Sequence, residues 1–165
     1  MKTKVLNHSD IEKIIKRMAY QIYENNFGDK HITFVGISSR GYEIAKLLQA
    51  ELDIISNLKS NLLEIAIDKE SPSIESTVIK PAKFEVKGTV VIIDDVLNTG
   101  RTLVYAALPF LNYKLSKLQV AVLVDRNHKK FPIAADYTGI QLNTTFQEHV
   151  SVEQNKKKQF EVYLQ

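Results

Sequence analysis

Apolar residues at Ile11, Ile14, Ile15, Met18, Ala19, Ile22 and Tyr23 recur every three or four positions. That is the period of one helix face, and it predicts an amphipathic helix running to about Asn25. Ser9-Asp10-Ile11-Glu12 reads as its capping box, with Ser9 accepting from the amide of Glu12. Gly28-Asp29 turns the chain, and the pattern then changes. Ile32 to Ile37 (ITFVGI) is short, apolar and β-branched, as a buried strand requires. Helical spacing returns from Gly41 to about Leu52 with Ile44, Ala45, Leu47 and Leu48. Leu62 to Ile67 (LLEIAI) predicts a strand, and the polar Asp68–Pro81 stretch an exposed, mobile loop. Gly88 precedes a buried strand at Thr89–Ile93, and Gly100–Leu111 is helical, with Pro109 bending or ending it. Leu118 to Val124 (LQVAVLV) predicts another buried strand. Short alternating stretches follow and end in FEVYLQ.

Strands and helices thus alternate, and the central strands are apolar throughout instead of every second residue. Continuous apolar strands belong in a parallel sheet covered by helices on both faces. The expectation is an α/β fold with a mostly parallel central sheet flanked by helices. With no repeat, linker or low-complexity segment, residues 1–165 read as one domain, long enough for a sizeable core.

Composition narrows the chemistry. Apolar and charged fractions of 44% and 25% are those of a soluble globular protein. A formal charge of +3 is too small to argue for nucleic acid alone. With no cysteine, disulfides and thiolate metal sites are excluded. The N-terminus lacks the apolar core of a signal peptide, and no apolar run approaches the roughly 20 residues of a membrane span. A cytoplasmic location and no membrane partner are therefore expected. The four histidines are scattered without metal-ligand spacing.

One stretch departs from ordinary core and surface patterning: VVIIDDVLNTGRT, Val90 to Thr102. Two carboxylates, Asp94 and Asp95, follow a buried strand, where ligands of parallel sheets bind. Leu97, Asn98, Thr99, Gly100, Arg101 and Thr102 then form a turn into a helix. Such a turn offers backbone amides and two threonine hydroxyls to a phosphate. Acids beside an anion cradle make sense for a ligand that carries hydroxyls at one end and a phosphate at the other, with or without a divalent cation. A ribose 5-phosphate has that layout. A second strand-turn-helix segment, FVGISSRG, offers Ser38, Ser39, the Arg40 guanidinium and the Gly41 amide to another anion.

These motifs resemble the type I phosphoribosyltransferases, whose signature is an apolar strand, two acids and a Thr-Gly-x-Thr turn. The resemblance implies that Asp94 and Asp95 hold the ribose hydroxyls of 5-phosphoribosyl 1-pyrophosphate (PRPP). Residues Leu97–Thr102 would wrap its 5′-phosphate, and Ser38, Ser39, Arg40 and Gly41 its pyrophosphate. Mg²⁺ is the implied cofactor, close to Asp94 and Asp95 but carried mainly by the substrate. The nucleobase falls to Asp125, Arg126, Tyr137 and Thr138, with Tyr137 stacking on the ring, under a small C-terminal hood. Purine-specific members carry lysine where Asp125 stands, so the aspartate speaks against a 6-oxopurine.

GISSRG, IDDVLNTGRT and AVLVDRNHKKFPIAADYTG together are most similar to the branch that joins uracil phosphoribosyltransferase activity to attenuation of pyrimidine operons. That branch starts its mobile loop with a Tyr-Arg pair, which the shorter AIDKESPSIESTVIKPAKFEV lacks. Lys69 or Lys80 would partly replace the arginine, and weaker PRPP binding or slower chemistry is the implied consequence. The resemblance also implies a homodimer or higher homo-oligomer. Lys13, Lys16 and Arg17 on the first helix, with Lys129, Lys130 and Lys156 to Lys158, supply charge for an RNA partner, but no base-reading feature accompanies them.

Overall fold

The structure is a computed structural model and describes every residue except Met1 and Lys69. The proposed role of Lys69 therefore lies outside the described residues. A short strand, β1 (Thr3–Leu6), precedes helix α1 (His8–Asn25). Next come β2 (His31–Ile37), α2 (Ser38–Ile55), β3 (Lys59–Ala66) and β4 (Val78–Lys80). Strand β5 (Thr89–Leu97) leads into α3 (Arg101–Ala107) and a 3₁₀ turn (Leu108–Asn112). Strands β6 (Lys117–Asp125), β7 (Tyr137–Gln141), β8 (Val150–Gln154) and β9 (Phe160–Leu164) complete the chain.

The main sheet has the order β4-β3-β2-β5-β6-β7, parallel except for the antiparallel edge strand β4. Helices α1 and α2 pack with Phe34, Val91, Ile93 and Leu123 on one face. Leu103, Ala106 and Phe110 pack with Val35, Val90, Ile92 and Val122 on the other. The continuously apolar β2, β5 and β6 are thus buried on both sides, as their composition demands. Strand β2 leads through α2 to β3 on one side, while β5 leads through α3 to β6 on the other. The sheet order therefore reverses between β2 and β5, the place where an open α/β sheet leaves a ligand crevice.

Several local expectations shift. The capping box of α1 is built two residues earlier: Asn7 Oδ1 accepts from the Asp10 amide at 3.0 Å, and Asp10 Oδ2 from the Asn7 amide at 3.0 Å. Ser9 lies inside the helix, because Asn7-x-x-Asp10 satisfies the same reciprocal pairing first. Helix α2 begins at Ser38 instead of Gly41, so Ser38–Arg40 form its first turn. Strand β5 continues to Leu97, since β6 pairs with it as far as Leu97↔Asp125. The polar loop after β3 closes with β4, whose Val78 and Lys80 pair with Ala66 and Glu64.

The hood is a three-stranded antiparallel sheet, β1-β9-β8. It is not purely C-terminal, because Thr3 pairs with Leu164 and Leu6 with Val162.

Candidate active site

A cavity of about 350 Å³ opens at the carboxyl end of β5. One wall is Asp94 to Leu103; Arg40 and Arg126 stand at its sides, and His149–Val152 of the hood form the wall opposite. The sheet brings Asp94 and Asp95 here with only 3% and 4% exposure. Strand residues there still donate amides: Asp95 N–H to Asp94 Oδ1 at 2.9 Å, and Val96 N–H to Asp95 Oδ1 at 2.9 Å. Arg40 comes over the pair from α2, its Nη1 3.8 Å from Asp95 Oδ2. Burying charge is costly unless it is hydrogen-bonded or paired, so this much carboxylate at a cavity wall is suited to binding donors.

The turn after β5 is held from outside. The Leu97 carbonyl accepts from the Arg126 amide at 3.0 Å, and the Thr99 carbonyl from the amides of Lys130 and Phe131 at 2.9 and 3.1 Å. Gly100 adopts φ +83°, a left-handed conformation that side chains resist. Asn98, Thr99, Gly100, Arg101 and Thr102 consequently line the cavity as one continuous loop. Helix α3 is short, so the backbone amides and threonine hydroxyls are the loop's main resource for an anion, with little help from a helix dipole.

The second motif divides. Arg40 lines the cavity, whereas Ser38, Ser39 and Gly41 do not. Ser38 sits at φ +53°, a backbone conformation uncommon for a residue with a side chain. Gly41 is a packing position: a Cβ added there would lie 2.6 Å from the Ile93 carbonyl oxygen. It lets α2 press onto β5 directly beneath the acid pair.

The base-side residues are the most dispersed. Asp125 is buried, and its carboxylate accepts from the Asn127 amide at 2.7 Å, with Lys129 Nζ 3.9 Å away; it does not line the cavity. Tyr137 lies in the core against α1, far from the cavity, at the start of β7 where it pairs with Ala121. Its hydroxyl accepts from Asn26 Nδ2 at 3.3 Å and donates to Gln119 Oε1 at 3.1 Å. Burial pushes the phenol above its ordinary pKa, with Asn26 and Gln119 opposing. Thr138 is likewise on β7, its carbonyl accepting from Arg17 at 3.3 Å. Only Arg126 of the four reaches the cavity. Lys80 stays on the sheet edge, outside it.

Tyr137→Phe therefore leaves the KM for any base unchanged and lowers the melting temperature by about 3–6 °C. The buried Asn26 amide and the half-buried Gln119 amide would each lose a partner, at roughly 1–2 kcal/mol in all. Steady-state kinetics beside a thermal melt checks this, and a raised KM would return Tyr137 to the base site.

His149, Val150, Ser151 and Val152 escaped the sequence reading. Their alternation marks a strand, but nothing local says that the strand closes a cavity formed fifty residues earlier.

The fold and the buried acid-and-loop site define a class. The phosphoribosyl transferase domain family matches residues 1–157, and the chain belongs to it. Among its relatives, the bifunctional protein PyrR of Brevibacillus brevis is 35% identical over 161 residues, covering 92% of this chain and 89% of the relative. PyrR of Roseiflexus sp. is 35% identical over 159 residues, covering 89% and 85%. Among solved structures, the hypoxanthine phosphoribosyltransferase of Trypanosoma cruzi superposes with a TM-score of 0.77 at 16% identity, covering 98% and 95%. The chain is thus a phosphoribosyltransferase, an α/β protein with its hood, and PyrR-like in sequence. Among the described residues, no helix is long and apolar enough to cross a membrane.

Proposed function

We propose that the protein transfers ribose 5-phosphate from PRPP to a nucleobase, a pyrimidine and above all uracil, releasing pyrophosphate. The observation that carries this reading is the pair of buried carboxylates on the wall of a cleft that continues into the Leu97–Thr102 loop. Asp94 and Asp95 accept from the ribose hydroxyls. Thr99, Thr102 and the loop amides donate to the 5′-phosphate, and Arg40 donates to the pyrophosphate. The C1–oxygen bond to pyrophosphate breaks as a ring nitrogen of the base bonds to C1, with the ring proton lost to solvent. Positioning and electrostatic stabilisation of the leaving group supply most of the rate.

A magnesium ion fits this site in part. Among the described residues no three His, Cys, Asp or Glu side chains converge, so the protein offers only Asp94 and Asp95. The remaining ligands are substrate oxygens and water, and the ion neutralises pyrophosphate charge when bound. The reading also includes one catalytic domain over residues 1–165, a cytoplasmic location and a homodimer or higher homo-oligomer.

The alternative is a nucleotide-sensing, RNA-binding regulator of pyrimidine genes with weak or lost catalysis. The short loop after β3 and the kinship with bifunctional PyrR proteins favour it. The basic face of α1 is narrower than its sequence implies, because Arg17 donates to the Thr138 and Gly139 carbonyls and to Gln21. Incubation with PRPP, Mg²⁺ and uracil, cytosine, hypoxanthine, guanine, adenine or xanthine separates the readings. Pyrophosphate release with uracil is expected. Release only with a purine overturns the pyrimidine assignment. Silence with every base, with UMP-dependent gel shift of pyrimidine-operon leader RNA, establishes the regulator instead.

A further inference from the structure

We propose that Arg126 is a positioning residue that couples occupancy of the phosphate loop to the hood strand facing it. The proposal rests on the reading of Leu97–Thr102 as a phosphate cradle and replaces the expected contact of Arg126 with the base.

Arg126 is only 5% exposed, yet it borders the cavity. Its guanidinium spans two segments that no strand pairing joins. Nη1 donates to Asn98 Oδ1 of the phosphate loop at 3.4 Å. Nε donates to Thr144 Oγ1 at 3.0 Å, and Nη2 to the carbonyls of Thr145 and Glu148 at 3.2 and 2.6 Å. Its own amide donates to Leu97, so backbone and side chain hold the same loop.

The hood segment gripped in this way is compact. His128 Nε2 meets the Thr144 carbonyl at 2.7 Å, and the Glu148 carboxylate accepts from the Thr145 amide at 2.6 Å. The chain then runs without interruption into His149–Val152, the wall opposite the acids. A shift of the Asn98 end is therefore transmitted to that wall through one rigid, planar group.

Charge makes the coupling ligand-dependent. The hydrogen bonds of the Arg126 guanidinium all go to neutral oxygens, while the nearby Glu148 carboxylate acts on it through space. A buried cation with no carboxylate among its hydrogen-bond partners gains from an anion brought near it. A phosphate in the loop supplies that anion and tightens the link. Lysine would keep the charge but not the fork that reaches Asn98, Thr144 and the two carbonyls together.

Hydrogen–deuterium exchange of the full chain with inorganic phosphate tests this, since that ion fills the loop end and cannot reach the base side. In the native protein, phosphate slows exchange at residues 97–102 and also at 143–152. In Arg126→Lys and in Asn98→Ala, the slowing persists at 97–102 but falls about tenfold at 143–152, the worth of one or two hydrogen bonds. Asn98→Ala carries the test if the arginine variant does not fold, because it removes the link and keeps the loop amides and threonine hydroxyls that hold the phosphate. Equal protection at 143–152 in native protein and both variants, or none there in the native protein while 97–102 is protected, overturns the coupling alone. No protection at 97–102 overturns the cradle reading and the coupling with it.

Discussion

Asp94→Asn/Asp95→Asn weakens PRPP binding roughly 100-fold or more and leaves the fold intact. On the proposed function each carboxylate accepts from a ribose hydroxyl in a charge-assisted bond worth about 1.5–3 kcal/mol, and an amide retains only part of that. Two such losses correspond to at least about 2.7 kcal/mol, hence the factor. Stability changes little, because each amide keeps the shape of its carboxylate and an oxygen that still accepts from the Asp95 or Val96 N–H. Titration calorimetry with PRPP and Mg²⁺, beside a thermal melt, checks both halves. Unchanged affinity removes the acids from the binding site. Lost affinity with a collapsed melting temperature shows that they hold the strand end instead.

Gly41→Ala is the second large effect, and it is an effect on stability. The new methyl group would stand 2.6 Å from the Ile93 carbonyl oxygen and 3.3 Å from the Asp94 Cα. Those atoms belong to a central strand paired on both sides, so they cannot give way as a side chain would. Helix α2 must lift from β5, at a cost of about 1–3 kcal/mol for overpacking. For a chain of this size that lowers the melting temperature by about 2–10 °C. On the proposed function PRPP affinity falls too, because Arg40 rides on the first turn of the displaced helix. A substitution that left the melting temperature unchanged would mean that Gly41 contributes only its amide, as the anion-loop reading held.

The contrast between these two substitutions runs through the molecule. Asp94 to Thr102 are contiguous, and a buried strand followed by a glycine turn and a helix is a local arrangement. Hydrophobic patterning is enough to place it, so the strand, the two acids at its end and the turn after it were readable from residue order. The same holds for the parallel sheet, since unbroken apolar strands have no other stable surroundings. Gly41 was equally visible as a residue, but its contact with Ile93 exists only once α2 crosses β5.

Distance along the chain set the limit elsewhere. Strand β1 is four residues without a clear pattern, and it becomes a strand because β9, some 160 positions later, offers an edge. His149–Val152 face the acids because that sheet folds over the cleft. Tyr137 was given the base by the family resemblance alone, since an aromatic in a short strand carries no mark of which face it takes; pairing with β6 turned it toward α1. Arg126 owes its role to carbonyls at 145 and 148. Backbone oxygens are the same in every sequence, so which of them an arginine finds is decided by packing alone.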